Sequence, residues 1–203
     1  MKKNNKYLNL VSGMAYLAIN SGGILFAALA TYGLMMIRDF AIKQLDNNLK
    51  ILSEALLVLN LTRAGISLLG AYGQIYALSN VLVLLNVVIF ILTFFILSIA
   101  VRHLSIKLNE FELNHSISKI NESFYIIIAA DAVIVVISLL AILTIYYPIP
   151  ALINLISLFA NQNINLMVSV GLTIVKYLAA RSFTRAGSLL LNAITFENTT
   201  NIQ

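Results

Sequence analysis

Apolar residues follow one another along this chain in runs of roughly 20 or more, separated by shorter polar connections. Such runs are long enough to cross the roughly 30 Å of hydrocarbon in a bilayer as α-helices. The pattern predicts an all-α fold, a polytopic integral membrane helix bundle in a single domain over residues 1–203. The predicted spans are residues 10–37, 51–77, 81–101, 124–147 and 164–185, with a polar connection at 102–123 and a polar tail at 197–203.

The first apolar run is longer than one span requires. Residues 10–37 contain no charged side chain, so a single helix over this range has to tilt, bend or protrude. Its centre is Asn20-Ser21-Gly22-Gly23, which predicts a kink or a thin face for close helix packing. Because the run is too long for the apolar core of a signal peptide, we interpret it as an uncleaved span.

The second run, residues 51–77, contains Glu54 and Arg63 among apolar residues. Its polar residues fall on one helical stripe because they are spaced by three, four or seven positions. The stripe consists of Ser53, Asn60, Arg63, Ser67, Gly70 and Gln74. A helix with one polar seam is typical of a span that faces its bundle. The alternative is a helix lying flat at the interface, which leaves four spans.

The remaining runs are simpler. Residues 81–101 carry no charge and follow a predicted short link at 78–80. Pro148 and Pro150 should end the span at 124–147, since proline lacks a backbone donor. Residues 151–163 then predict a short interfacial helix and turn, and the connection at 102–123 has enough helical periodicity to lie along the membrane surface.

Composition supports the membrane class, since 60% of residues are hydrophobic and 10% are charged, with a mean hydropathy of +0.92. Soluble domains are about 45–50% apolar and about 25% charged. The absence of cysteine excludes disulfides, thiolate metal sites and thiol nucleophiles. The net charge of +5 comes from scattered Lys and Arg beside apolar runs. This is typical of contact with anionic headgroups rather than nucleic acid.

The basic residues do not settle the orientation of five spans. The positive-inside rule places the connections at 38–50 and 102–123 in the cytoplasm together with the C-terminus, which leaves the N-terminus outside. Lys2, Lys3 and Lys6 argue against that arrangement. Four spans would satisfy these lysines but misplace Arg38 and its basic neighbours.

Asp131 is the most unusual acidic residue, because it lies inside the fourth predicted span. A carboxylate at the centre of a bilayer costs about 2.5–3.5 kcal/mol on insertion scales, so it needs a partner or a proton. One hypothesis is a proton or cation site in which Arg63 or Lys176 neutralises Asp131. The alternatives are a structural ion pair and an aspartate hydrated near the interface.

Basic residues outnumber acidic ones in and beside the spans. The candidate contacts are Glu54, Arg63, Asp131, Lys176, Arg181 and Arg185. The excess of positive charge predicts an anion nearby, which can be a lipid headgroup, a carboxylate of a partner subunit or an anionic substrate. Headgroup contact is the simplest for Lys176, whose side chain can extend toward the interface.

No catalytic, metal or cofactor motif is present. His103 and His115 lie outside the predicted spans and lack metal-ligand spacing, and we expect both at the surface. The serines do not form a nucleophile elbow, so we expect neither an enzyme nor a bound cofactor. Residues 62–65 and 184–187 share the sequence Thr-Arg-Ala-Gly, which is either chance or an inverted repeat.

These observations favour a non-catalytic accessory or structural subunit of a larger membrane complex, such as an energy-transducing one. The small residues Gly22, Gly23, Ala27 and Ala30 offer a packing face for other membrane subunits. The alternative is a small transporter or channel that uses the polar stripe of the second span with Asp131. For either function we expect a multi-pass protein of the cell membrane.

Overall fold

The fold is an α-helical bundle. A computed structural model describes residues 5–20, 24–73 and 77–200, and all regular secondary structure in these ranges is helical. The helices are α1 (Asn5–Ala18), α2 (Ile24–Gln44), α3 (Asn47–Gly73), α4 (Ala77–Glu110), α5 (Asn114–Tyr146), α6 (Pro150–Ala160) and α7 (Gln162–Thr200). The predicted all-α class is confirmed.

Five of these helices contain segments that are long and apolar enough to cross a membrane. The segments are Leu25–Gln44, Asn47–Leu69, Val81–Glu110, Asn114–Thr144 and Leu166–Glu197, within α2, α3, α4, α5 and α7. The chain is therefore a multi-pass membrane protein, with five candidate spanning helices among the described residues. The second predicted span is one of these segments, so its length and composition fit a spanning helix.

The first predicted span differs from the prediction. Residues 10–37 do not form one helix, because α1 ends at Ala18 and α2 begins at Ile24. The two helices pack side by side in opposite directions: Tyr7 contacts Phe40 and Tyr16 contacts Tyr32, with ring centroids 5.5 and 5.6 Å apart. The chain folds back between them, and the bend itself, residues 21–23, lies outside the described residues. With 14 residues, about 21 Å in length, α1 is too short to span.

Glycines in both helices permit this close packing. A Cβ atom built on Gly13 would lie 2.6 Å from the backbone oxygen of Gly33, and one on Gly33 would lie 2.7 Å from the oxygen of Gly13. Backbone atoms cannot move aside as a flexible side chain can, so the α1–α2 hairpin requires glycine at both positions. The sequence prediction placed a thin face at Gly23 and Ala27; Ala27 is buried, and Gly23 lies outside the described residues.

We expect Gly13→Ala or Gly33→Ala to lower the free energy of unfolding by about 1–3 kcal/mol, the usual cost of overpacking a filled site. The measurement is thermal or denaturant unfolding in detergent. Gly171→Ala is the matched control, because a Cβ there meets no atom within 4 Å. Equal stability of the Gly13→Ala, Gly33→Ala and Gly171→Ala variants would contradict the close packing of α1 on α2.

The polar connections are shorter than predicted. Residues 102–123 do not lie along the surface as one connection, because α4 continues to Glu110 and α5 begins at Asn114. Residues 111–113 join α4 to α5 in a tight turn, in which Glu112 has a φ of 56°. The predicted link at 78–80 lies inside α4, and the polar tail is helical to Thr200. The helix end before Pro148 and the short helix after Pro150 are as predicted.

The helix directions bring all the basic connections to one end of the bundle, which we call the basic end. It holds the start of α1, the α2–α3 and α4–α5 turns and the end of α7. The opposite end, with the α3–α4 link and α6, is the neutral end, and residues 64–101 and 132–175 contain no charged residue at all. Because α1 and α2 form a hairpin, Lys6 now lies at the basic end with Arg102 and Lys119. A hairpin that begins and ends at the basic end leaves four helices, α3, α4, α5 and α7, that run between the two ends, so Lys6 and the basic connections lie on one side.

Packing differs between the two halves of the bundle. The half near the basic end contains the core, in which six helices contribute fully buried side chains such as Leu10, Phe40, Leu56, Leu97 and Phe183. In the half near the neutral end, none of residues 64–69, 81–88 and 132–175 for which burial is described is buried. Only α3, α4, α5 and α7 continue into it, together with α6. Side chains are therefore packed together toward the basic end and are half-buried or exposed toward the neutral end.

Candidate functional site

Polar side chains from five helices or helix ends meet where the packed half of the bundle gives way to the open half. We call this group the polar centre. It consists of Asn20, Asn60, Arg63, Asn86, Asp131 and Lys176. Apolar residues dominate the remaining surface of each helix, so each helix directs its polar position inward. The stripe predicted on the second span contributes two of these residues, Asn60 and Arg63.

Lys176 and Asp131 form the ion pair of the polar centre. The Nζ atom of Lys176 lies 2.6 Å from Oδ1 of Asp131 and donates a second hydrogen bond of 2.5 Å to the backbone oxygen of Asn20. The Lys176 side chain is 1% exposed and that of Asp131 18%. The oxygen of Asn20 belongs to the end of α1, where helix carbonyls are unpaired and the helix dipole favours a cation. The break between α1 and α2 therefore completes the coordination of Lys176.

Among the described residues, Arg63 donates its hydrogen bonds to neutral side chains. Its Nη2 donates to Oδ1 of Asn20 over 2.9 Å and its Nη1 to Oδ1 of Asn86 over 3.4 Å. Asn20 in turn donates from Nδ2 to Oδ1 of Asn60. Arg63 is 8% exposed, and among the described residues it forms no salt bridge. The guanidinium is thus buried among amides, with Asp131 acting on it at longer range.

A cavity of about 90 Å³ lies against Arg63 and Asp131. Asn20, Asn86 and Thr93 add polar groups to its wall, and the rest of the wall is apolar. One water needs about 10–15 Å³ of such volume, so the cavity has room for about six waters or one small solute. The apolar side includes Ile134 and Val135, one turn of α5 beyond Asp131 toward the neutral end.

The polar centre lies deep in the hydrocarbon region. Nine residues, about 13 Å of helix, separate Arg63 from Glu54 on α3 and Asp131 from Glu122 on α5. No charged residue follows toward the neutral end on either helix. Asp131 lies near the middle of the apolar segment Asn114–Thr144, which favours the ion-pair hypotheses over an aspartate hydrated at the interface.

The other candidate residues lie away from the polar centre. Glu54 pairs with Arg38 at 2.6 Å, and both side chains are about 40% exposed. Arg181 and Arg185 are exposed, Arg181 in a groove between α1 and α7 and Arg185 in a groove between the start of α5 and α7. Arg63 and Arg185 occupy the same position in the two copies of the possible repeat. Arg63 is buried and Arg185 is exposed, so the two copies are not equivalent in the structure.

Asp46 and His103 form a contact that sequence reasoning missed. Oδ2 of Asp46 lies 2.8 Å from Nε2 of His103, and its Oδ1 accepts a hydrogen bond from the backbone N–H of Leu49, which caps α3. Partial burial alone would raise the pKa of Asp46, but these hydrogen bonds outweigh it and hold the pKa below its usual value. An aspartate just before a helix is a capping signal. His103, expected at the surface, is instead partly buried at the basic end.

Asn86 is the member of the polar centre for which the sequence had no argument. It was included in an apolar run with no charge, where one amide did not stand out. Asn20 was considered only as part of a kink.

Comparison with known proteins finds no matching family model and no significant match among curated proteins or solved structures. Functional argument therefore rests on the polar centre and its place in the bundle.

Proposed function

We propose that the protein is a small membrane transporter or channel whose solute site is the polar centre. The observation that carries the proposal is the cavity near the midplane, bordered by Arg63 and Asp131 beside the broken helix pair α1–α2. Transporters place their sites near the midplane and build them from discontinuous helices, whose ends offer unpaired backbone groups to the solute. Intramembrane ionisable residues usually mark such pathways.

The two halves of the bundle suit this function. Packed side chains close the bundle between the polar centre and the basic end. Toward the neutral end the described helices contain no buried residue, and we propose that a solute reaches the cavity from that side. A site open to one side only is what an alternating-access transporter presents in one of its states. By the positive-inside rule, the basic end faces the cytoplasm and the neutral end faces outward, which agrees with a cell-membrane location.

The test compares a cavity-filling variant with a lipid-facing control in proteoliposomes. Thr93 is 5% exposed and lines the cavity, so Thr93→Leu should fill it without touching the ion pair. Thr62 is exposed on α3 beside Arg63, and Thr62→Leu is the matched control. Flux is measured for a panel of inorganic ions, protons, small carboxylates, amino acids and sugars.

We expect at least one solute of the panel to cross wild-type and Thr62→Leu liposomes at least tenfold faster than Thr93→Leu liposomes. Asp131→Asn should also abolish this flux if the variant reconstitutes. If no solute crosses wild-type liposomes faster than protein-free liposomes, the transporter proposal is wrong.

A second candidate function is the accessory subunit of a larger membrane complex. It is favoured by the unpacked, charge-free surface of residues 132–175, which offers apolar area to other spans. Purification in mild detergent distinguishes the candidates, because a subunit brings down stoichiometric partner chains. A monodisperse preparation of this chain alone would overturn the subunit proposal. For either candidate we propose that Lys119 and Arg185 at the basic end contact anionic headgroups.

A further inference from the structure

The polar centre carries more positive charge than it neutralises. Arg63, Lys176 and Asp131 in their ionised forms sum to a net charge of +1. The nearest acidic residues along the same helices, Glu54 and Glu122, lie nine positions away, and each is paired with a basic residue near the basic end. A net charge deep in hydrocarbon is expensive unless a counter-charge lies beside it. Within the described chain, the polar centre has no such counter-charge.

Hydrogen bonding in the polar centre is unbalanced in the same direction. Arg63 has five N–H donors, and two hydrogen bonds from its terminal nitrogens are formed, both to amide oxygens. The Nδ2 atom of Asn60 is buried without a hydrogen-bond partner. Of the acceptors, Oδ1 of Asp131 and the backbone oxygen of Asn20 are already bonded to Lys176. The centre therefore has surplus donors, which a ligand with acceptor character would satisfy.

The cavity beside Arg63 has room for a small ligand. Its volume is about 90 Å³, with Asn86 and Thr93 placing further polar groups on the wall. A halide, nitrate, formate or acetate ion is small enough, and one negative charge brings the net charge of the centre to zero. A monovalent cation would raise it to +2.

We infer that the cavity binds a small monovalent anion against the guanidinium of Arg63. This inference rests on the proposed function, since it names the solute class of the same site. Planar guanidinium groups bind carboxylate and nitrate oxygens through paired N–H donors, and Arg63 keeps donors that its amide partners do not use. Divalent anions such as sulfate would leave the centre with a net charge of −1 and should bind more weakly.

The test measures binding in detergent, separately from flux. The melting temperature is followed while chloride, nitrate or formate replaces gluconate, a larger anion, at constant ionic strength. Wild type should be stabilised with a saturable concentration dependence, because a ligand that binds the folded state raises its stability. Arg63→Gln should weaken the apparent affinity at least tenfold. Arg181→Gln should behave as wild type, because Arg181 is exposed in the groove between α1 and α7 and does not line the cavity.

Thr93→Leu keeps the test decisive if Arg63→Gln does not fold, since it fills the cavity and leaves Arg63 in place. Loss of the anion effect in Thr93→Leu supports the inference. A wild type without anion dependence overturns it, as does equal dependence in wild type and in these cavity variants. Dependence on sodium against N-methylglucamine at fixed chloride also overturns it. Anion binding without flux contradicts only the transporter, and flux of an uncharged solute without anion binding contradicts only the anion.

Discussion

Asp131→Asn should lower the free energy of unfolding by about 3–5 kcal/mol, the usual cost of leaving one member of a buried ion pair without its partner. Lys176 is 1% exposed and meets the Asp131 carboxylate at 2.6 Å. In the variant, the Lys176 ammonium keeps the oxygen of Asn20 and a neutral amide oxygen, but no negative charge. The measurement is reversible unfolding in bicelles or detergent.

Two further variants are compared with Asp131→Asn. Glu54→Gln breaks the Arg38–Glu54 pair, in which both side chains are about 40% exposed, so its effect should be much smaller because water screens the pair. The double variant Asp131→Leu with Lys176→Met removes both charges and should recover most of the stability, since apolar replacements of similar size need no counter-charge. If Asp131→Asn is no more destabilising than Glu54→Gln, the ion pair is not buried.

The spans were predictable from the sequence because the constraint behind them is simple. A helix in hydrocarbon satisfies its own backbone, so a run of about 20 apolar residues is sufficient information for a span. This held for residues 51–73 of the second predicted span despite Glu54 and Arg63, whose side chains reach the basic end and the interior of the bundle respectively; residues 74–76 lie outside the described residues. The ends of the helices were less predictable, since polar residues at 102–110 continue α4 as readily as they would start a loop.

The α1–α2 hairpin was not predictable from residues 10–37 alone. An Asn-Ser-Gly-Gly segment in an apolar run permits a kink as well as a reversal, and neither choice changes hydropathy. The deciding contacts are tertiary: the Gly13–Gly33 approach, and the packing of Gly187 so close to Val11 that an added Cβ would lie 2.7 Å from it. The lysines near the N-terminus were the signal available for the hairpin, because five spans place them on the opposite side of the membrane from the other basic connections.

The polar centre was predicted in part. Arg63, Asp131 and Lys176 were singled out since charge in a span is costly, and both Arg63 and Lys176 were considered as partners of Asp131. The choice of Lys176 depends on how α5 and α7 rotate against each other, which a single sequence does not contain. Asn86 escaped notice because an amide in an apolar span is far less costly than a charge.

The central claim of this account is that α1 enters the membrane and returns to its own side. The claim rests on the packing of α1 against α2, which run in opposite directions, and it determines which residues face each side. Since the chain contains no cysteine, a single substitution by cysteine gives the protein one unique thiol. Lys6→Cys marks the start of α1, Asn48→Cys the α2–α3 turn, and Asn161→Cys the neutral end after α6.

The most direct measurement is labelling of these three variants with a membrane-impermeant maleimide in sealed vesicles of known orientation. We predict that Lys6→Cys and Asn48→Cys are labelled from the same side and Asn161→Cys from the opposite side only. Labelling of Lys6→Cys from the side of Asn161→Cys would mean that residues 10–37 cross the membrane as one span, and would contradict the hairpin and the polar centre built on it.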